Sequence, residues 1–531
     1  MKAQSIIALL CIAGLAVWAP LWYMGRVADI ELENALRIEK TAVDPATVAA
    51  YEKMGAIHGA WGAGDGGLHW GHYGTKVPGF EFKTFPAAKL PGVDVPFGLN
   101  LSGATVTAAD LRMLAHLKTL VLIDFDRAQI TDAHLRALRE IGLLHALNAA
   151  SANSDPHPSE YTRPNSAQEV CGYSLYGTQV TDAGLKELAP LRNLVWLSLA
   201  HTKAGDAGLR DMPAFPKLAT LSLTGTKVTD AGLRNLPVLP SLAELDLDET
   251  QVTDAGLREL ARFPGLAKLN LAKTQVTSAG LKELAPLKNL CVLDLQGTKL
   301  TDDSLRHLAP FKKLARLQVS FPIGDAGLRS MRKIDLLHAL PMANLGATGR
   351  AESAEQVTTL FLGGAVTDAG LKELFPLKNV DWLNLNGSFT NAGLRELAPL
   401  QKIKWLDIRC PRVTDAGLKE LVVLTNLENL GIEDAPITGS GLEDLAPLAK
   451  LYYLSLTKTG VDDDGLRSVA SLKALKTLNL LDPKADITDA GLMELAVLRN
   501  LTYLYLKGTK VTPAGLAELK KALPQCEMHR Y

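Results

Sequence analysis

Apolar residues recur along this chain in two alternating rhythms. Over Leu194–Thr202 the order LVWLSLAHT puts Leu194, Leu197 and Leu199 at core positions, and Leu197 and Leu199 flank polar Ser198. That period of two marks a strand. Further on, in VTDAGLRNL from Val228, Leu233 and Leu236 stand three apart, which places them on one helical face. Thr229 is a natural helix N-cap, and Asp230 follows in the first turn, where an acid suits the helix dipole. Gly232 is costly inside a helix, so its recurrence predicts close approach of an adjacent coil. Thr202 opens the turn after the strand, and a hydroxyl there can bond backbone groups that leave the ladder. It recurs as Thr178, Thr226, Thr250, Thr274, Thr298, Thr459 and Thr509, which predicts a row of such bonds. The unit is strand, turn, short helix and return.

The hexapeptide Val-Thr-Asp-Ala-Gly-Leu stands intact from Val180, Val228, Val252, Val366 and Val413. Near copies start at Val106, Ile130, Ala204, Val276, Leu300, Ile323, Phe389, Ile437, Val461, Ile487 and Val511. The usual step is 24 residues, as from Val228 to Val252. A fixed period of this size means a solenoid. Parallel strands sit ~4.8 Å apart while helices are ~10 Å across, so such a stack bends. The expected fold is therefore an α/β solenoid: a horseshoe with a parallel concave sheet and short convex helices.

The opening LxxLxLxxT resembles the leucine-rich repeat signature, with Thr where Asn or Cys is common. The run VTDAGLKELAPLRNL from Val180 is similar to a large bacterial leucine-rich repeat family of VTDAGLKELAPLKNL-type units, in the ribonuclease-inhibitor-like shape class. The resemblance covers roughly Val95 to Tyr531, and Leu516–Tyr531 looks like the family's terminus. It implies the fold and protein binding, and it implies no enzyme chemistry.

Two intervals between copies are long, from Ile130 to Val180 and from Ile323 to Val366. Both contain Leu-Leu-His-Ala-Leu (around His145 and His338), a polar loop, then Ser-Ala-x-x-Val. Whole cassettes have been duplicated, and each LLHAL is expected to lengthen a convex helix. The resulting division is 96–148, 166–340 and 354–531 for three repeat blocks, with insertions at 149–165 and 341–353. Residues 27–95, rich in Gly and aromatics, read as linker and N-terminal cap, because a solenoid end exposes an apolar face. Residues 1–26 carry an apolar run between Lys2 and Arg26, with Trp18, Trp22 and Tyr23 at its far end. About 20 apolar residues suffice to span a bilayer. The run reads as a retained signal anchor contacting the lipid bilayer, with a cleaved signal as the alternative, and either exports the repeats.

Composition narrows the function. The chain has 531 residues, 47% of them hydrophobic, and Lys+Arg 56 against Asp+Glu 57. It can bury a continuous core, and it lacks the basic excess that nucleic acid requires. Five cysteines, far apart and without C-x-x-C spacing, are neither a disulfide framework nor a zinc motif. His58, His69 and His72 lack the further ligands that a metal needs. No nucleotide, zincin or nucleophile-elbow motif occurs, so neither catalytic residues nor a cofactor are expected.

Candidate binding residues lie between the strand leucines. One row reads Trp196, Thr220, Glu244, Lys268, Val292 and Arg316, and later Thr359, Trp382, Trp405, Asn429, Tyr453, Thr477 and Tyr503. The adjacent row supplies Phe361, Asn384, Asp407, Ser455, Asn479 and Tyr505. Exposed aromatics gathered on one face are typical interface anchors, although Trp and Tyr also favour strands in their own right. The expectation is a non-enzymatic scaffold binding a protein or peptide on its concave face through Trp382, Trp405, Tyr453, Tyr503, Tyr505 and Trp196. The alternative is carbohydrate or cell-envelope binding by the same rings.

Overall fold

The computed structural model describes residues 43–61, 77–155, 162–344 and 351–530. The N-terminal apolar segment, Cys11, His69, Trp70 and His72 lie outside the described residues, as do parts of both insertions. Two compact units form, Met1–Leu242 and Ala243–Tyr531. The first opens on a helix, Pro45–Lys53, capped by the Asp44 carboxylate accepting from Thr47 N at 3.0 Å. Tyr51 of this helix stacks on Phe80, ring centroids 3.8 Å apart. Strand β1 (Ile57–Trp61) runs antiparallel to β2 (Val77–Glu81), and β3 (Phe97–Asn100) and β4 (Leu120–Asp124) continue in parallel. Next come β5 (Ala150–Ser151), β6 (Gly172–Ser174), β7 (Trp196–Ser198) and β8 (Thr220–Ser222). The second unit holds β9 (Glu244–Asp246), β10 (Lys268–Asn270), β11 (Val292–Leu295) and β12 (Arg316–Val319) as one parallel run. It then holds β13 (Ala343–Asn344), β14 (Thr359–Gly363), β15 (Trp382–Asn386), β16 (Trp405–Arg409), β17 (Asn429–Glu433), β18 (Tyr453–Thr457), β19 (Thr477–Leu481), β20 (Tyr503–Lys507) and β21 (Glu527–Arg530), paired in that order. Each coil joins its strand to a short helix, so the chain is an α/β leucine-rich repeat solenoid, with the repeat leucines forming its core.

The hexapeptide binds coil to coil. Asp206 does more than sit at its own helix start: it accepts from Thr229 N at 2.8 Å and Thr229 Oγ1 at 2.6 Å in the following coil. Asp254 does the same for Thr277, Asp368 for Thr390 and Asp489 for Thr512. The repeated Gly makes room for this carboxylate, since a Cβ built on Gly232 would overlap Asp206 Oδ1. Two exceptions follow the same rule. His134 occupies the Gly position, and the preceding coil has Ala108 where Asp would be. His134 Nδ1 itself accepts from Thr131 N at 3.1 Å. Ser304 likewise follows a coil carrying Ser278, and Ser304 Oγ accepts from Thr301 N at 3.1 Å. The turn threonines also bond as expected in one stretch: Thr178, Thr202, Thr226, Thr250, Thr274 and Thr298 each donate to the carbonyl three residues back. The row stops later, because Thr459 Oγ1 and Thr509 Oγ1 are buried without a partner.

The two long intervals interrupt the sheet, which is therefore not parallel throughout. LLHAL does not extend a helix. The longer helices precede it, Asp132–Ile141 and Asp325–Lys333, each ended by a left-handed residue, Gly142 and Asp335. LLHAL then turns as a short 3₁₀ segment, Leu144–Ala146 or Leu337–Ala339. The two-residue strands that follow, β5 and β13, pair antiparallel with β6 and β14. The helical side stays joined across each gap. Arg136 and Arg139 both meet Glu187, at 3.2 and 2.5 Å, and Arg329 and Arg332 both meet Glu373, at 3.0 and 2.5 Å. Asp132 reaches Thr181 and Asp325 reaches Thr367 as in any other pair of coils.

Candidate functional site: an aromatic and polar strand face

Strands β14 to β20 are five residues long, whereas β6 to β12 have three or four. The extra length gives the later sheet three outward rows. The first carries Trp382, Trp405, Tyr453 and Tyr503. The second, the floor, runs Asn384, Asp407, Gly431, Ser455 and Asn479. The third holds Asn386, Arg409, Glu433, Thr457 and Lys507. Alternate residues on each strand are buried leucines and isoleucines, which fixes the register of all three rows.

The first row, joined at its start by Phe361 of the second, makes an aromatic strip. Phe361 meets Trp382 edge-on at 5.8 Å between centroids, Trp382 lies 5.3 Å from Trp405, and Trp405 lies 6.2 Å from Tyr453. Trp382 and Trp405 remain 38% and 40% exposed. Their ring positions are locked from below. Trp382 Nε1 donates to Asp407 Oδ2 at 3.0 Å, and Trp405 Nε1 donates to Asp407 Oδ1 at 3.2 Å. Tyr453 Oη accepts from Asn479 Nδ2 at 2.8 Å. Gly431 lies between Asp407 and Ser455 on the floor and leaves a notch, a shallow cavity of about 240 Å³. A Cβ at Gly431 would stand 2.6 Å from Asp407 Oδ1. On the far side Arg409 pairs with Glu433, which also lies 3.7 Å from Lys458.

No family model matches the sequence, and no curated protein does. Among solved structures the chain is similar to an internalin from Listeria monocytogenes, at 18% identity and a TM-score of 0.33, over 75% of this chain and 93% of that one. It is similar to a leucine-rich repeat protein from Leptospira interrogans at 20% identity and 0.36, over 82% and 95%. It is also similar to a plant peptide hormone receptor, RGFR1, in complex with RGF2, at 12% identity and 0.35, over 82% and 87%. The solenoid described above stands on its own strand pairing, independently of these likenesses.

The structure thus brings together three of the six candidate rings, Trp382, Trp405 and Tyr453. Tyr503 is exposed on β20, one strand beyond Thr477, and Tyr505 stacks on His529 at 4.9 Å. Trp196 departs from the expectation of an open ring. It is 7% exposed, packed over Gly172, and its Nε1 donates to the Asn153 carbonyl at 3.1 Å. The described ends of the first insertion pack against the strand face at Trp196. Ala152 N donates to Thr162 O, Thr162 N to Asn153 Oδ1, and Arg163 to Asn148 Oδ1. In the mixed-charge stretch of β9 to β12, Lys268 lies 3.1 Å from Glu244. Burial there pushes the Asp294 carboxyl up. Among the described residues no group of His, Cys, Asp or Glu is gathered to hold a metal. No helix among them is long and apolar enough to cross a membrane. Burial raises the thiols of Cys410 and Cys526 to about 11, which disarms them as nucleophiles. Two features were missed from the sequence: the third row and the Gly431 notch. A signal for the row exists in the spacing, since Asn386, Arg409 and Glu433 each follow a first-row residue by four.

Proposed function

We propose that this chain is a non-enzymatic recognition scaffold that binds a protein or peptide along the strand face of β14 to β20. The observation that carries the reading is the strip Phe361–Trp382–Trp405–Tyr453, whose two exposed indoles are fixed in advance by Asp407. Rigid aromatic anchors spend little conformational entropy on binding, which is why they dominate interfaces. Trp196 is not one of the contact residues in this reading. The finer points rest on sequence alone: membership of the 24-residue repeat family, the division into an N-terminal cap and three blocks, and export on an N-terminal anchor. A photo-crosslinking residue placed at Tyr503 tests the face in intact cells, with a membrane-impermeant label at the same position reporting export. A specific crosslinked protein is expected, and Trp382→Ala with Trp405→Ala should each weaken its capture by about 2 kcal/mol. Undiminished capture by the double variant would sink the proposed face.

A further inference from the structure

The notch over Gly431 has a chemistry distinct from that of the aromatic strip. Among its lining residues Asp407 and Glu433 stand against Arg409, and Glu433 is engaged both by Arg409 and, from outside the lining, by Lys458. Its hydrogen-bonding groups are mixed. Each Asp407 oxygen takes one indole N–H and keeps acceptor capacity. Asn384 and Asn386 line the same notch, each with an amide that donates and accepts, and no bond within the protein engages either amide among the described residues. Tyr453 Oη, already accepting from Asn479, retains its proton for donation. The Ser455 and Thr457 hydroxyls stand 3.4 Å apart at the edge.

An ammonium or guanidinium only donates, so it would leave the asparagine donors idle. A carboxylate only accepts, and it would face Asp407. A hydroxyl donates and accepts through one atom, so each hydroxyl of a polyol can serve an asparagine amide and a carboxylate oxygen together. Beside these groups stand Trp405 and Tyr453, plates against which an apolar ring face can be buried. The cavity, about 240 Å³, is smaller than the roughly 300–1,000 Å³ of sites for drug-sized ligands, so it encloses one ring rather than a chain of them. We propose that the notch is a subsite for a single uncharged hexopyranose ring, with its hydroxyls on Asn384, Asn386 and Asp407 and its C–H face on Trp405 or Tyr453. This goes beyond the proposed protein recognition, because it assigns a small-molecule chemistry to the floor beside the strip.

Saturation-transfer NMR on the full chain tests it, using the methyl glycosides of glucose, galactose, mannose and N-acetylglucosamine at millimolar concentration. Transfer to at least one glycoside is expected. Asn384→Ala should weaken it about five-fold, the effect of one lost hydrogen bond. Gly431→Ala, which fills the notch, should abolish it, and Lys419→Ala, on the helical side away from the strand face, should leave it unchanged. Thermal melting by circular dichroism confirms that each variant folds; if Gly431→Ala does not, Asn384→Ala carries the test. No transfer to any glycoside, or transfer indifferent to Asn384→Ala, overturns the proposal. The tripeptide Ala-Lys-Ala is run alongside. If it alone gives a signal that depends on the notch residues, the sugar subsite falls and the protein-binding face stands. If glycosides bind while Trp382→Ala/Trp405→Ala leaves partner capture intact, the strip falls and the subsite stands.

Discussion

At the scale of single residues, the hexapeptide is a two-part lock shared between neighbouring coils. Thr229 N needs an acceptor, and Asp206 of the previous coil provides it only because Gly232 leaves space. Helix propensity alone would favour Ala at that position by about 1 kcal/mol. Overpacking against Asp206 costs more, about 1–3 kcal/mol, so Gly232→Ser is expected to destabilise. Asp206→Ser alone should also destabilise, by about 1–3 kcal/mol, because Thr229 N loses its partner. Together they recreate the Ser278/Ser304 arrangement, in which the side chain of the same coil serves the threonine amide. The double variant should therefore recover most of the loss, measured as urea midpoints in a double-mutant cycle; simple additivity would refute the lock. The sequence alone showed the Thr cap and the close approach at Gly. It did not show the partner of Asp, because that partner lies a full coil away. The trace was nonetheless present: His134 and Ser304 appear where the preceding coil lacks the carboxylate.

At the scale of elements, each cassette boundary hands continuity from the sheet to the helices. The Arg136–Arg139–Glu187 and Arg329–Arg332–Glu373 clamps, with the Asp–Thr bonds, hold the helical side while the strands are interrupted. Burial alone would raise Glu187 and Glu373, but the hydrogen bonds and charges of their arginines outweigh it and hold both below the usual carboxylate range. Burial lowers His145 and His338, whose Nδ1 atoms have no partner. The sign is the same for both kinds of group, since the unfolded chain binds the more protons. The histidine contribution is complete above the unfolded value of 6.5 and is lost as pH falls through the lower folded values. The clamp contribution is complete above 4.5 and is lost further into acid. Asp124, Asp248 and Asp294, raised by burial, work in the opposite direction and offset part of this. The melting temperature should hold steady between pH 6.5 and 9.0, where the raised thiols of Cys410 and Cys526 begin to matter, and decline below 6.5, and His338→Gln should flatten the first part of that decline. A melting temperature that rises on acidification below 6.5 would contradict the account. The LLHAL recurrence was legible in the sequence. The antiparallel pairs were not, because a two-residue strand carries no periodicity. Nor was the packing at Trp196, which depends on Asn153 and Thr162 bonding from opposite ends of the insertion.

At the scale of the whole molecule, stability is a sum over adjacent coils rather than the property of one core. Within each unit the sheet is broken once, between β4 and β5 and between β12 and β13. Such arrays lose all-or-none behaviour. Urea unfolding should therefore give more than one transition: tryptophan fluorescence of a variant with Phe at positions 18, 22, 61, 70 and 196, which leaves Trp382 and Trp405 as the reporters, should have a midpoint different from far-ultraviolet circular dichroism. Coincident curves would show a single cooperative block. The repeat and its solenoid were legible because the period is written in buried leucines. The site was legible only as a list of rings, since what gathers them is Asp407 accepting two indoles from adjacent strands, and the notch is made by a side chain that is missing at Gly431. The Asp–Gly lock also bears on how such a chain can grow. A recombination event that joins two coils succeeds only where the upstream end and the downstream end match, as cohesive ends do in cloning. A coil ending in Asp cannot be spliced ahead of one bearing His134 or Ser304 without a clash, so the heritable unit of exchange is the junction rather than the coil.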